Sequence, residues 1–256
     1  MMLECNNLSV AERLRAFSTQ VEAGSRVHIV GPNGAGKSSL LACMAGLLQG
    51  AGGVSLAGQS LDTLSGPQLA RRRGYLCQQS APISMMPVFQ YLSLHQPAMA
   101  EAALVASTVA HLARELHLED KLHRPVTRLS GGEWQRVRLA ATLLQVWPTL
   151  SPQSQLLLLD EPMNSLDVAQ QQALDGLIDH YCASGRIAIM SDHDLNHTLH
   201  HAGIVWLMKA GQVLAAGDCI NIMQPERLSG IFDVNFQMHN LENQRWLSVA
   251  PGIIAH

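Results

Sequence analysis

Gly31-Pro32-Asn33-Gly34-Ala35-Gly36-Lys37-Ser38-Ser39 is the stretch on which the reading of this chain turns. It follows a short apolar run, Val27 to Val30, and opens into Leu40-Leu41-Ala42-Cys43-Met44-Ala45-Gly46-Leu47. The context is strand, glycine-bearing loop, helix, and the spacing G-x-x-x-x-G-K-S is that of a phosphate-binding loop. Backbone N–H groups of such a loop and the N-terminus of the following helix converge on an anion. Gly34 and Gly36 leave room for the backbone to wrap a phosphate. Lys37 places a point charge on the β- and γ-phosphates, and the Ser38 hydroxyl can ligate Mg²⁺. A glycine-rich turn with no ligand is the structural alternative, and the complete motif between a strand and a helix argues against it. The loop predicts a nucleotide and leaves the reaction open.

Composition bounds the rest. The 256 residues fit one large domain or a domain with a subdomain. Hydrophobic residues make up 47% and charged residues 14%, which permits a sizeable core and excludes wholesale disorder. The net charge of −3 and the lack of a basic stripe argue against nucleic acid as a partner. Arg71-Arg72-Arg73 is read as a solvated helix end. Five scattered cysteines, never in a C-x-x-C pair, suggest neither a disulfide framework nor a zinc site, and a reducing compartment. Glu4, Asn6 and Asn7 interrupt any signal-peptide core, and no apolar run reaches the roughly 18 residues that span a bilayer. Work at a membrane would therefore run through a partner.

Outward from the loop, residues 1–30 read as two or three short strands, with a turn at Glu22-Ala23-Gly24-Ser25. Residues 50–58 form a glycine-bounded strand, 67–73 a helix, and Gly74-Tyr75-Leu76-Cys77 a strand ending in Gln78-Gln79. Pro82, Pro87 and Pro97 then break the pattern. Leu104, Val105, Val109, Leu112 and Leu116 give helical spacing, so residues 80–128 are expected to form a mostly helical insertion in an α/β core. A helix near 133–146 follows. Leu156-Leu157-Leu158-Leu159 is a continuous apolar run suited to a buried parallel strand. A helix over 168–181, a strand over 186–190 and a short helix over 196–200 complete the α/β pattern. The tail from Ile204 reads as two hairpins around a small helical segment, with Ala210-Gly211 in the first turn.

Two further signals carry chemistry. Asp160-Glu161 ends the leucine run, where carboxylates can serve the phosphate loop. Asp160 can hold Mg²⁺ through water, and Glu161 can polarise an attacking water. Leu129-Ser130-Gly131-Gly132-Glu133 contains the capping box Ser130-x-x-Glu133 at a helix start. That helix end also presents N–H groups and a positive dipole to a second phosphate.

The order of these motifs resembles the ATP-binding-cassette (ABC) ATPase family over nearly the whole chain. The resemblance implies an α/β fold, the P-loop NTPase ABC cassette. It comprises a RecA-like core, an N-terminal antiparallel β subdomain and an inserted α-helical subdomain. One domain would span 1–256, with the core at 1–79 and 133–256 and the helical subdomain at about 80–132. It also implies ATP and Mg²⁺ as ligands, with Ser38, Gln78 and Asp160 serving the metal. Gln78 matches the residue that contacts Mg²⁺ or water and faces the membrane partner. Leu129, Ser130, Gly131, Gly132 and Glu133 match the signature. Ser165, Leu166 and Asp167 match the D-loop, and His193 matches the histidine that senses the γ-phosphate. The family works as a head-to-tail dimer in which each ATP lies between one copy's phosphate loop and the other copy's signature. The two anion sites of one chain would then belong to two nucleotides.

Three departures stand out. Glu133 replaces the usual Gln, and Ser38-Ser39 replaces Ser-Thr. Where the family places an aromatic residue about 25 positions before the lysine to stack on adenine, this chain has Glu12-Arg13-Leu14-Arg15. The adenine contact is then either weaker or made by an arginine face. His197, His200 and His201 have spacing that could bind a metal. No carboxylate or cysteine partner is evident for them, so they read as the polar face of a surface helix.

Gly132 to Ala141, Leu158 to Gln171 and His193 to Leu199 resemble most closely the importer ATPases for vitamin B12. Those for ferric siderophores and haem are near neighbours. Ending at 256, the chain has no room for an appended regulatory domain of about 100 residues. The resemblance implies a second copy, two transmembrane permease subunits and, indirectly, a periplasmic substrate-binding protein as partners, on the cytoplasmic face of a bacterial inner membrane. A soluble ABC ATPase acting on DNA or ribosomes would carry coiled-coil insertions, two cassettes or a basic face, and none is visible. A nucleotide-binding module without turnover is disfavoured by the presence of both Glu161 and His193.

Overall fold

Alternating apolar and polar side chains at the N-terminus form two nine-residue strands, β1 (Met2–Val10) and β2 (Leu14–Glu22). Their bulged antiparallel pairing turns at Glu12, which sits at φ 61°. Both are longer than the sequence suggested, because the polar residues lie on the outer face while Leu3, Cys5, Leu8, Leu14 and Val21 are buried. The computed structural model describes residues 2–78, 81–82, 85–242 and 244–250. Gln79, Ser80 and the exact start of the helical insertion lie outside them.

After the turn at Gly24, β3 (Arg26–Val30) is buried at every position and leads through the phosphate loop into α1 (Lys37–Met44). A hairpin of β4 (Ala51–Leu56) and β5 (Gln59–Ser60) adds to β1, giving an antiparallel sheet of order β2-β1-β4-β5. Next come α2 (Gly66–Arg72) and β6 (Arg73–Leu76). Arg73 is not the solvated residue expected. Its Nε donates to the Ala45 carbonyl at 2.5 Å, satisfying an acceptor just past the end of α1.

The insertion holds α3 (Val88–Ser93) and α4 (Ala102–Glu115), followed by two single 3₁₀ turns. The chain then runs through α5 (Gly131–Val146), β7 (Leu156–Leu159), α6 (Val168–Ala183), β8 (Ile187–Asp192), α7 (Leu195–His201) and β9 (Ile204–Lys209). β9 turns at Ala210-Gly211, both at positive φ, into β10 (Gln212–Asp218). The short helices α8 (Cys219–Ile222) and α9 (Pro225–Phe232) precede a hairpin of β11 (Phe236–Leu241) and β12 (Gln244–Val249).

The central sheet has order β10-β9-β3-β8-β7-β6, with parallel pairing except at the β9–β10 edge. The leucine run shows how it is covered. Leu156 and Leu158 point into a core shared with α1 and the antiparallel sheet, whereas Leu157 and Leu159 point into one shared with α5, α6 and the helical insertion. A parallel strand covered on both faces needs continuous apolar sequence. A third cluster packs α7, α8 and α9 with the C-terminal hairpin. All five cysteines are free thiols, and Cys77 alone is exposed.

Register places the ends of four strands together. Val30 pairs with Asp192, Leu159 with Met190, and Leu76 with Leu159. The residues that follow, at 31, 193, 160–161 and 77–78, therefore emerge at one edge of the sheet. The carboxyl edge of an open α/β sheet is where such folds bind ligands.

Candidate nucleotide site

A cavity of about 1010 Å³ opens over this edge, lined by Asn33 to Ser39 together with Gln78, Glu161 and His193. The loop's glycines answer a geometric need. Gly36 is the N-cap of α1 at φ 100°, a conformation costly for any residue with a Cβ, and a Cβ there would stand 3.0 Å from the Arg13 carbonyl. With the cap residue turned that way, the free N–H groups of the α1 N-terminus are left for an anion. Lys37 folds over its own loop. Its Nζ donates to the carbonyls of Gly31 at 2.7 Å and Pro32 at 3.2 Å. Burial lowers the Lys37 pKa, while Glu161, Asp160 and Asp192 pull the other way.

The two carboxylates after β7 have different surroundings. Asp160 is buried, and its Oδ1 accepts the Ser191 hydroxyl at 2.7 Å. Its Oδ2 is buried with no protein partner among the described residues. An orphaned carboxylate oxygen is a costly arrangement unless a ligand completes it. With the Ser38 hydroxyl on the cavity wall, the donor set suits a hard divalent cation such as Mg²⁺. Glu161 turns into the cavity at φ 50°, held by its backbone N–H donating to Ser191 Oγ at 2.8 Å. Its Oε1 lies 2.5 Å from His193 Nε2, and its Oε2 accepts from Asn164 Nδ2 at 2.6 Å. Burial pushes the Glu161 pKa up, but His193, Asn164 and Lys37 outweigh it and hold the carboxyl below its ordinary range. An ionised carboxylate locked between a histidine and an amide can accept a proton from water.

The signature residues lie elsewhere. Leu129, Ser130 and Gly131 line a separate depression of about 390 Å³ with Pro82, Trp134 and Gln135. The capping box forms as the spacing predicts, with Ser130 Oγ accepting from Glu133 N at 3.3 Å and Glu133 Oε2 accepting from Ser130 N at 2.8 Å. Glu133 also meets Lys121 Nζ at 3.3 Å, and its pKa is lowered by the Ser130 backbone bond foremost. Gly132 packs against the D-loop, where a Cβ would come within 2.7 Å of the Ser165 carbonyl. Asp167 caps α6, its Oδ1 accepting from Gln170 N at 2.9 Å, while Leu166 is buried. One chain thus brings together the phosphate loop, Gln78, Glu161 and His193, and holds the 129–133 segment apart from them.

Several contributors carry no reading in the sequence. Ser191 links Asp160 and Glu161 from β8, and Asn164 fixes the Glu161 carboxylate. Arg138, buried on α5, donates through Nη2 to the carbonyls of Cys77 at 2.5 Å and Gln78 at 3.3 Å, tying the signature helix to the glutamine loop. The Glu12-Arg13 turn and Ala210-Gly211 also line the cavity, with Arg15 N donating to the Gly211 carbonyl at 2.7 Å. His197 is not on a polar surface face: Asp192 and Asp175 hold its two ring nitrogens.

Comparison with known proteins agrees with this geometry. The ABC transporter family matches residues 14–164. The vitamin B12 import ATP-binding protein BtuD of Yersinia enterocolitica is 57% identical over 247 residues, 96% of this chain and 98% of that protein. The proteins of that name from Pectobacterium atrosepticum and Escherichia coli O157:H7 are 51% and 47% identical, each over 96% of this chain and 98% of theirs. Among solved structures, the ATP-binding subunit of an ABC transporter shares the fold at a TM-score of 0.78 and 24% identity, covering 92% of this chain and 96% of that one. An ABC-transporter cassette in its ADP conformation does so at 0.71 and 20%, covering 91% and 98%. By sequence match, fold and the composition of its cavity, the chain belongs to the ATP-binding subunits of the ABC transporter family.

Proposed function

We propose that this chain hydrolyses ATP to drive vitamin B12 import as the ATP-binding subunit of a bacterial ABC transporter. The observation that carries the reading is the constellation of Lys37, Asp160, Glu161 and His193 on one sheet edge. The substrate rests on the full-length similarity to vitamin B12 import ATP-binding proteins. The α1 N-terminus and Lys37 bind the β- and γ-phosphates, and Arg13, on the cavity wall, would face the base. Bound Mg²⁺, held by Ser38, Gln78 and, through water, Asp160, would neutralise phosphate charge. Glu161 takes the proton of the attacking water, and His193 orients Glu161 and meets the γ-phosphate. Differential affinity of ATP for a closed state is the driving force.

Two copies would meet head to tail, each offering Ser130 to Gly132 to the other's nucleotide. The separation of those residues from the phosphate loop within one chain favours that arrangement. Two permease subunits would dock at the cytoplasmic face of the inner membrane, served by a periplasmic binding protein. No helix among the described residues is long and apolar enough to cross a membrane, in keeping with a peripheral ATPase.

The test is uptake into vesicles carrying this chain with the permease subunits and binding protein encoded beside it. Labelled cobalamin would be compared with a ferric siderophore and haem. ATP-dependent cobalamin uptake that is lost in Lys37→Ala is the expected result. Uptake of an iron complex instead would overturn the substrate and leave the ATPase standing.

A further inference from the structure

Behind the nucleotide site lies a charged cluster that hydrolysis does not use. β3 supplies Arg26 and His28, α6 Asp175 and Asp179, β8 Asp192, and α7 His197, Thr198 and His201. Arg26 pairs through Nη2 with Asp175 Oδ1 and through Nη1 with Asp179 Oδ1 at 3.0 Å. Its Nε donates to His28 Nε2 at 3.1 Å, so the neutral His28 ring carries its proton on Nδ1. That nitrogen faces Thr198 Oγ1 at 3.1 Å and Asp192 Oδ2 at 3.3 Å. Both nitrogens of His28 are occupied, and it has no lone pair to offer a ligand.

His197 and His201 are arranged differently. His197 Nδ1 lies 2.5 Å from Asp192 Oδ2, leaving Nε2 directed at both Asp175 oxygens at 3.1 Å. One helical turn on, His201 places Nε2 3.6 Å from Asp175 Oδ2. The three donor atoms lie within 4.8 Å of one another. Around a tetrahedral ion with bonds of about 2.0–2.1 Å, neighbouring donors stand roughly 3.3–3.4 Å apart. The distances from Asp175 Oδ2 to the two histidines, 3.1 and 3.6 Å, bracket that edge.

The surroundings also fit. A histidine that donates one ring N–H to a carboxylate, as His197 does to Asp192, has its other nitrogen oriented and made more basic for a metal. Arg26 engages Asp175 Oδ1 and leaves Oδ2 for a ligand. The His201 side chain is 37% exposed, which gives an ion a way in, whereas that of His197 is 11% exposed. Sequence spacing offered His197, His200 and His201 without a carboxylate partner, and the structure turns His200 away, its Nε2 lying 2.8 Å from the Arg245 carbonyl. The fold brings Asp175 to it from α6.

We propose that Asp175, His197 and His201 form a binding site for a divalent transition-metal ion of the Zn²⁺ class, with Asp175 Oδ2 and the two Nε2 atoms as ligands and solvent completing the tetrahedron. Two imidazoles and one carboxylate suit such an ion better than Mg²⁺ or Ca²⁺. The ion would pin α7, which begins two residues after His193, to α6.

The experiment is a titration of the full, nucleotide-free chain with Co²⁺, followed by Zn²⁺, in wild type and His201→Gln. The ion pair of His201 with Asp175 and its ring contact with His197 both lie within the cluster, so its replacement leaves the fold standing. The expected result is the visible absorption of a tetrahedral Co²⁺ centre at one ion per chain, bleached by Zn²⁺. Affinity should be at least about tenfold weaker in His201→Gln. Absence of the tetrahedral band, or equal affinity in His201→Gln, would each overturn the proposal.

Discussion

Replacement of Ser191 by Ala isolates the contact that links the two carboxylates. The Ser191 hydroxyl is buried, donates to Asp160 Oδ1 at 2.7 Å and accepts from Glu161 N at 2.8 Å. Its removal orphans both groups in the interior. Each costs about 1–3 kcal/mol, so the loss is about 2–6 kcal/mol. For a chain of this size that lowers Tm by about 4–24 °C. Hydrolysis should fall further than stability implies. Glu161 is held at φ 50°, a strained conformation for a residue with a side chain, and the Ser191 bond helps fix it. Misplacement of the carboxylate by even a fraction of an ångström makes a kcat loss of about 10–100-fold reasonable. Calorimetry with a coupled ATPase assay reads both effects. A variant with wild-type Tm and wild-type kcat would refute the linkage of Asp160 and Glu161 through this hydroxyl.

Three further outcomes are expected. Lys37→Ala should weaken nucleotide binding by about 10–100-fold, as expected for loss of a charge-assisted contact to phosphate, read by titration with a fluorescent ATP analogue. In the native chain a thiol reagent should label Cys77 rapidly and the other four slowly, since they are buried and Cys5 and Cys182 are pushed up by burial to about 12 and 11; two fast thiols would contradict this packing. Stability should vary with pH in metal-free buffer. The His197 pKa of about 9 lies above the unfolded value of 6.5, so its contribution, on the order of 3 kcal/mol, is full below pH 6.5 and lost as pH rises through 9. Burial lowers His28 to about 4, so acid from pH 6.5 to 4 destabilises through the cost of charging it. His197→Gln should flatten the alkaline limb of a Tm–pH profile, and an unchanged limb would contradict the assignment.

What the sequence revealed was local. The phosphate loop needs only its own residues, so spacing sufficed to find it. The Ser130–Glu133 box closes within one turn, and the leucine run states its own burial. The contributions of Ser191, Asn164 and Arg138 depend on partners set by strand register and helix packing. Ser191 meets residues 30 and 31 positions away, and Arg138 reaches back about 60. His197 was misread for the same reason, since Asp175 comes from a different helix. Arg73 looked like a solvated charge because nothing in a run of arginines shows that the end of α1 lies beneath it.

The most direct test of the central claim uses Glu161→Gln, which keeps the shape and the contact to Asn164 while removing the base. The account predicts that ATP drives this variant into a dimer in analytical ultracentrifugation, with two nucleotides per dimer and hydrolysis slowed by at least about 100-fold. A Glu161→Gln chain that stays monomeric with saturating ATP and hydrolyses it at the wild-type rate would contradict both the base and the shared site.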